Sequence, residues 1–330
     1  MSGKLMMALA AALLLPACWG ALALWYKAAG NEAVRALAAL LWLLASVALL
    51  AAGAFDHRAA ALLLFVLAFA LLLLWWHSLR PSNLRLWAAD VAQMTHGEVD
   101  GERVLLHNVR NFDWRSPTEC SVRWQTRHYR LDRLAAVDLI LSYWTISAIA
   151  HVLVSFCFQE GERVAFSVEI RRQRDQAFSA IGGFFKQFEL SIIAADERDV
   201  IRVRTNVRGE DDYLYRLRLP PAAMRSLFLG YIDQANRLLR APRFYNTITA
   251  NCTTLIFRMM QHIVGRLPLD PRLLFSGYLA GYVYRVGGLD RRYPLSQLRE
   301  FGRITQRARA AAADSSFSEV IRRGIPSLEG

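Results

Sequence analysis

Three long apolar runs, broken only by short polar turns, fill the first quarter of the chain, over about residues 5–26, 34–55 and 59–76. Each has about the twenty residues a helix needs to cross the hydrocarbon core of a bilayer. The breaks, from Lys27 to Arg35 and at Asp56-His57-Arg58, leave room only for a tight up-down-up arrangement. Trp19, Trp25, Tyr26, Trp75 and Trp76 fall near the run ends, where amphipathic rings favour the membrane interface. A cleaved signal peptide would explain one such run but not three in succession. The pattern therefore predicts a three-helix transmembrane bundle over residues 1–79. Positive charge barely orients it: Lys4 and the amino terminus mark the start as cytoplasmic, and Lys27, Glu32 and Arg35 blur the count. With the amino terminus inside, three spans place the rest of the chain outside the membrane.

From residue 80 the pattern becomes that of a soluble α+β domain, and the residues up to 330 suffice for one domain with its own core. Strand character runs over 103–109, 127–131, 137–142, 151–158, 164–170, 188–194, 200–205 and 213–219. Gln159-Glu160-Gly161-Glu162 turns the chain between two of these, which makes a hairpin. Pro220-Pro221 ends the sheet region, and 222–239 has helical periodicity. A further helix opens at Cys252 and closes at Gly265.

Composition changes this picture little. The net charge of +12 lies almost wholly after residue 80 and is nearly all arginine, since Lys4, Lys27 and Lys186 are the only lysines. A basic domain beside anionic headgroups would be held to the membrane surface. Nucleic-acid binding is the rival meaning of such charge, but no nucleic-acid motif is present and the spans argue against it. Cys18, Cys120, Cys157 and Cys252 show neither a disulfide framework nor metal-ligand spacing, so no metal or cofactor is implied.

The candidate chemistry centres on Cys252. Asn251 before it is a good helix N-cap, and a thiol just inside a helix amino terminus feels a positive field that lowers its pKa. The alternative is a small buried hydrophobe, the common fate of a free cysteine. A cysteine nucleophile needs a histidine base and a group to orient it. His57 and His77 belong to the membrane region, His96, His107 and His128 lie in polar stretches, and His262 sits too far along the same helix. His151 opens a strand, and a turn centred on Gly161 places Glu169 diagonally across the hairpin on the same face. Glu169 is thus a possible orienter of the imidazole, or equally a partner of Arg171 or Arg172. Tyr143 and Tyr245 are possible oxyanion donors or packing residues.

The order of these residues, histidine on a strand and cysteine on a helix about a hundred residues later, resembles the circularly permuted NlpC-like and lecithin–retinol acyltransferase group, where an Asn-Cys pair opens the nucleophile helix. More text agrees: Asn108-Val109-Arg110-Asn111-Phe112, Val137-Asp138-Leu139 with Ser142-Tyr143-Trp144, Ile149-Ala150-His151 with Ser155-Phe156, Ser167-Val168-Glu169, Asp196-Glu197-Arg198-Asp199 with Arg204-Thr205, and Tyr245-Asn246 through Asn251-Cys252-Thr253-Thr254. As an ordered set this resembles the Lnb N-terminal periplasmic domain family over about residues 80–325. The resemblance implies a permuted papain-like domain with an antiparallel sheet, set in the periplasm of a multi-pass inner-membrane protein. It implies a thiol acyltransferase with Cys252 as nucleophile and His151 as base. The acyl donor would be a membrane phospholipid, and the acceptor the amino-terminal amine of a diacylated lipoprotein. A lipid esterase, a cell-wall peptidase and a non-catalytic membrane-anchored domain remain open, and nothing in the sequence fixes the oligomeric state.

Overall fold

The computed structural model describes residues 3–54, 58–265, 267–311 and 316–328. The chain divides into two compact units. The first is Met1–Ser82 with Phe178–Phe188; the second is Asn83–Ala177 with Glu189–Gly330.

The first unit holds three long helices, α1 (Gly3–Lys27), α2 (Glu32–Ala54) and α3 (Arg58–Ser78). Among the described residues, the stretches Glu32–Leu49 and Ala59–Ser78 are long and apolar enough to cross a membrane. Asp56 and His57 of the expected turn lie outside the described residues. The helices touch through aromatics: Trp42 Nε1 donates to the Ala17 carbonyl at 2.9 Å, and Trp19 meets Phe69 edge-on at 5.9 Å. Gly20 permits this approach, because a Cβ there would collide with the Trp42 indole and Leu72.

The second unit is built on strands β1 (His96–Asp100), β2 (Arg103–Arg110), β3 (Asp113–Trp114), β4 (Cys120–Ser121), β5 (Trp124–Arg130), β6 (Leu134–Tyr143), β7 (His151–Phe158), β8 (Arg163–Arg171), β9 (Glu189–Ala195) and β10 (Asp211–Arg216). β3 and β4 form a small ribbon. The others form one sheet in the order β1-β2-β9-β8-β7-β6-β10, with β5 on β2. Every pairing is antiparallel except β2–β9, so the sheet is mixed rather than purely antiparallel as expected.

Helices cover both faces: α4 (Glu197–Val200), α5 (Pro221–Arg240), α6 (Cys252–Val264), α7 (Leu279–Arg285), α8 (Leu295–Gly302), α9 (Thr305–Ala310) and α10 (Phe317–Val320). Strand alternation divides the core between them. Val152, Val154, Phe156 and Phe166 pack with Phe228 and Tyr231 of α5 and Leu255 and Met259 of α6. Leu153, Ala165 and Ile193 pack on the other face with Ile201, Ile304, Phe317 and Ile321.

The β-branched stretch 200–205 is not the expected strand. It follows α4, and Val203–Arg208 forms a wide π-type turn closed by Gly209 in the left-handed region. Asp196 starts this helical passage by accepting the Arg198 amide. Burial of Val200 and Ile201 against the second core favours helix over the strand preference of those residues.

Candidate active site

α6 begins where its sequence dictates. The Asn251 side chain accepts the Thr253 and Thr254 amides at 3.0 and 2.8 Å, while Thr254 Oγ1 accepts the Asn251 amide at 3.0 Å. This reciprocal capping box fixes the first turn, and Cys252 is its first residue. The preceding loop is tied down by Asn246, whose side chain accepts the Ile248 and Thr249 amides.

β7 is fixed at its start by the turn at Ser276–Tyr278. Ser276 Oγ accepts the Ala150 amide at 3.0 Å, and the Gly277 amide donates to the Ala148 carbonyl at 3.0 Å. A Cβ at Gly277 would strike the Ser147 carbonyl, so only glycine allows this contact. Tyr143 donates its hydroxyl hydrogen to the Gly277 carbonyl at 2.6 Å, which makes it a brace for the site rather than an oxyanion donor.

The two strands separate at this end. β7 pairs with β8 from Cys157↔Arg163 only as far as Leu153↔Ser167. That register lies two residues away from a turn centred on Gly161, so His151 faces Glu169 directly across the opening rather than diagonally. His151 Nε2 is 2.6 Å from Ser167 Oγ and 3.2 Å from Glu169 Oε1. Ser167 donates its own hydrogen to Glu169 at 2.7 Å, so it accepts from His151 Nε2–H. The tautomer follows: Nδ1 is left as the basic nitrogen.

Cys252 lies at the same opening. The Val152 amide, one residue past His151, lies close enough to favour a Cys252 thiolate, and α6 packs against β7 and β8. A direct thiol–imidazole hydrogen bond is not among those of the described residues, while the Glu169 charge that pairs with His151 also bears on the Cys252 thiol. Tyr245 and Tyr231 lie close enough for a Cys252 thiolate to raise their phenol pKa values further, beyond the larger effect of burial. The Tyr231 hydroxyl is buried without a hydrogen-bond partner.

Burial pushes the Cys252 thiol up, outweighing the Val152 amide and the Thr253 hydroxyl that favour thiolate. The lowered pKa expected from the helix terminus is thus reversed by desolvation. Burial, then the Arg204 guanidinium, hold His151 below the ordinary imidazole value against the pull of Glu169. Burial alone would raise Glu169, but His151, Arg204 and Ser167 hold its carboxyl well below the usual range. The resting site therefore pairs a neutral thiol and a neutral imidazole with an ionised carboxylate.

Sequence reasoning did not single out Ser167 or Arg204 for roles here. Arg204 Nη2 is 3.0 Å from Glu169, and its Nη1 is 3.4 Å from Glu210. Ser142 Oγ, across β6–β7 from His151, bonds both Glu210 and Asp212. The signal for Ser167 was its place two residues before Glu169 on one strand, which puts both on one face. Behind α6 lies a cavity of about 210 Å³. Thr253, Ile256, Phe257 and Met260 line it from the helix, and Leu139 and Val154 from the sheet.

Residues 121–277 match the family model of the Lnb N-terminal periplasmic domain. The matched stretch runs from β4 to the Ser276–Gly277 turn and so contains every residue of the site. No curated protein and no solved structure matches the chain.

Proposed function

We propose that the chain is a multi-pass inner-membrane cysteine acyltransferase whose Lnb domain faces the periplasm with a permuted papain-like fold. In this reading an acyl chain moves from a membrane phospholipid, through a thioester on Cys252, to the amino-terminal amine of a diacylated lipoprotein. The observation that carries it is the packing of α6, with Cys252 as its first residue, on β7 and β8 at the end where Glu169 and Ser167 orient His151. The apolar cavity behind α6 supports an acyl rather than a peptidyl substrate.

Closure of the thiol onto His151 Nδ1 accompanies substrate binding, as is common when catalytic hydrogen bonds are incomplete in the free enzyme. His151 then takes the Cys252 proton while the sulfur attacks the ester carbonyl carbon. The tetrahedral oxyanion is held by the Cys252 amide, with Tyr245 beside it. The C–O bond breaks, the lysolipid alkoxide takes the proton from His151, and the acyl group remains on sulfur. In the second half the acceptor amine attacks the thioester and gives its proton to His151. The C–S bond breaks, and the thiolate recovers that proton. A neutral resting His151 suits this general-base cycle better than a preformed ion pair would.

Intact mass of wild type and Cys252→Ser, after incubation with phospholipid and a diacylated lipopeptide, tests this. A hydroxylamine-labile acyl adduct on wild type alone, with one acyl chain gained by the lipopeptide, is the expected result. An adduct followed only by free fatty acid points to a lipid hydrolase. The absence of both adduct and product overturns the proposal.

A further inference from the structure

The segment Phe178–Phe188 leaves the second unit after β8 and rejoins it at β9, yet it belongs to the first unit with α1–α3. Phe185 explains how it is held. Its ring stacks on Tyr26 at 5.7 Å and meets Trp19 and Trp76 at 6.3 Å each, a buried cluster at the ends of α1 and α3. Tyr26 and Ser179 hydroxyls are 3.1 Å apart. Lys186 Nζ donates to the Trp76 carbonyl at 2.6 Å, capping the carboxyl end of α3 with a positive charge. A Cβ at Gly182 would displace the Gln187 amide and come close to the Tyr26 ring.

The outward side of the same segment is apolar. Phe178 is 64 %, Ile181 54 % and Phe184 40 % exposed. Three large apolar side chains projecting from an eleven-residue segment (178 to 188) are costly in water unless something covers them. Their neighbours identify the cover. Trp19, Tyr26, Trp75 and Trp76 form the aromatic collar expected where spanning helices leave the hydrocarbon core, and Lys186 and Arg80 supply positive charge at headgroup level.

We propose that Phe178, Ile181 and Phe184 insert into the lipid interface at the carboxyl ends of α1 and α3, making this loop a further membrane contact drawn from the middle of the soluble sequence. The partner is the bilayer itself, reached by continuity with the collar. β8, which carries Ser167 and Glu169, ends at Arg171, and residues 172–177 join it to the loop, so the contact ties the lipid surface by covalent chain to the strand that orients His151. The proposal rests on the reading of α2 and α3 as spanning helices and is independent of the acyltransferase chemistry.

The full chain in phospholipid nanodiscs tests it, with photoreactive benzoylphenylalanine placed singly at Phe178, Ile181, Phe184 or Leu41. Leu41 is an exposed residue within the apolar stretch of α2 and reports whether that helix lies in lipid. After irradiation, a mass gain of one phospholipid at all four positions is expected. A gain at Leu41 with none at 178, 181 and 184 overturns the loop insertion alone. No gain at Leu41 overturns the membrane reading on which it rests. A folding defect at one position leaves the other two loop positions to decide.

Discussion

Asp199→Ala is expected to destabilise the second unit by about 3–5 kcal/mol, the range for a buried charge stripped of its partner. Asp199 is fully buried and accepts four hydrogen bonds: from Arg110 Nε at 2.9 Å, Arg110 Nη2 at 3.1 Å, the Phe112 amide at 2.8 Å and Trp114 Nε1 at 2.8 Å. Removing the carboxylate strands the Arg110 guanidinium, itself buried, beside the rings of Phe112 and Trp114. It also leaves a backbone amide and an indole N–H unpaired, and buried donors without acceptors cost more than the bonds they made. Urea unfolding of Asp199→Ala and of the double variant Arg110→Met/Asp199→Leu gives the measurement. The double variant should recover much of the loss, since it removes both charges. A single-variant loss under 1 kcal/mol would show that water reaches the site and that the charge is not buried in solution.

Asp212→Asn is expected to raise stability at pH 8 by an amount on the order of 4 kcal/mol, against only about 1 kcal/mol at pH 4.5, using about 1.4 kcal/mol per pKa unit. Ser142 has one hydroxyl hydrogen and two carboxylates to serve, Glu210 and Asp212. One of the acids must hold a proton, and burial pushes Asp212 up to about 7 while Glu210 keeps Arg204 as its partner. The folded value lies above the unfolded one, so Asp212 contributes stability that is complete below about pH 4. That contribution is lost as pH rises through about 7. His151 acts in the opposite sense. Its folded pKa is depressed, so its contribution is present above the ordinary imidazole value and is lost as pH falls. Comparing variant with wild type across pH isolates the Asp212 part. A difference that stays flat from pH 4.5 to 8 would rule out the shared proton.

The parts of this molecule set by local chemistry were readable from its sequence. The hairpin of β7 and β8 followed from alternation around Gly161, and the start of α6 followed from the Asn251 cap. The pairing of His151 with Glu169 was foreseen on the right face with the wrong register, because turn length was judged by its glycine rather than by the Cys157↔Arg163 closure. What escaped was non-local. Val200, Ile201, Val203 and Thr205 read as a strand; packing of Val200 and Ile201 on the second core and of Val203 with Phe112 and Trp114, with Arg204 paired to Glu169, gives helix and π-turn instead. The Cys252 pKa escaped for the same reason: a helix terminus is visible in sequence, and burial is not.

Chain connectivity between the two units has a practical consequence for handling the protein. The backbone passes from one to the other after Ser82, again after Ala177, and a third time after Phe188. A fragment cut at Asn83 would not be the clean soluble domain its hydropathy suggests. It would keep Phe185 while losing Trp19, Tyr26 and Trp76, and so would present four large apolar side chains where three stood before. Such a fragment should self-associate, as light scattering would show, until 178–188 is also excised and Ala177 is joined to Glu189 through a short polar turn.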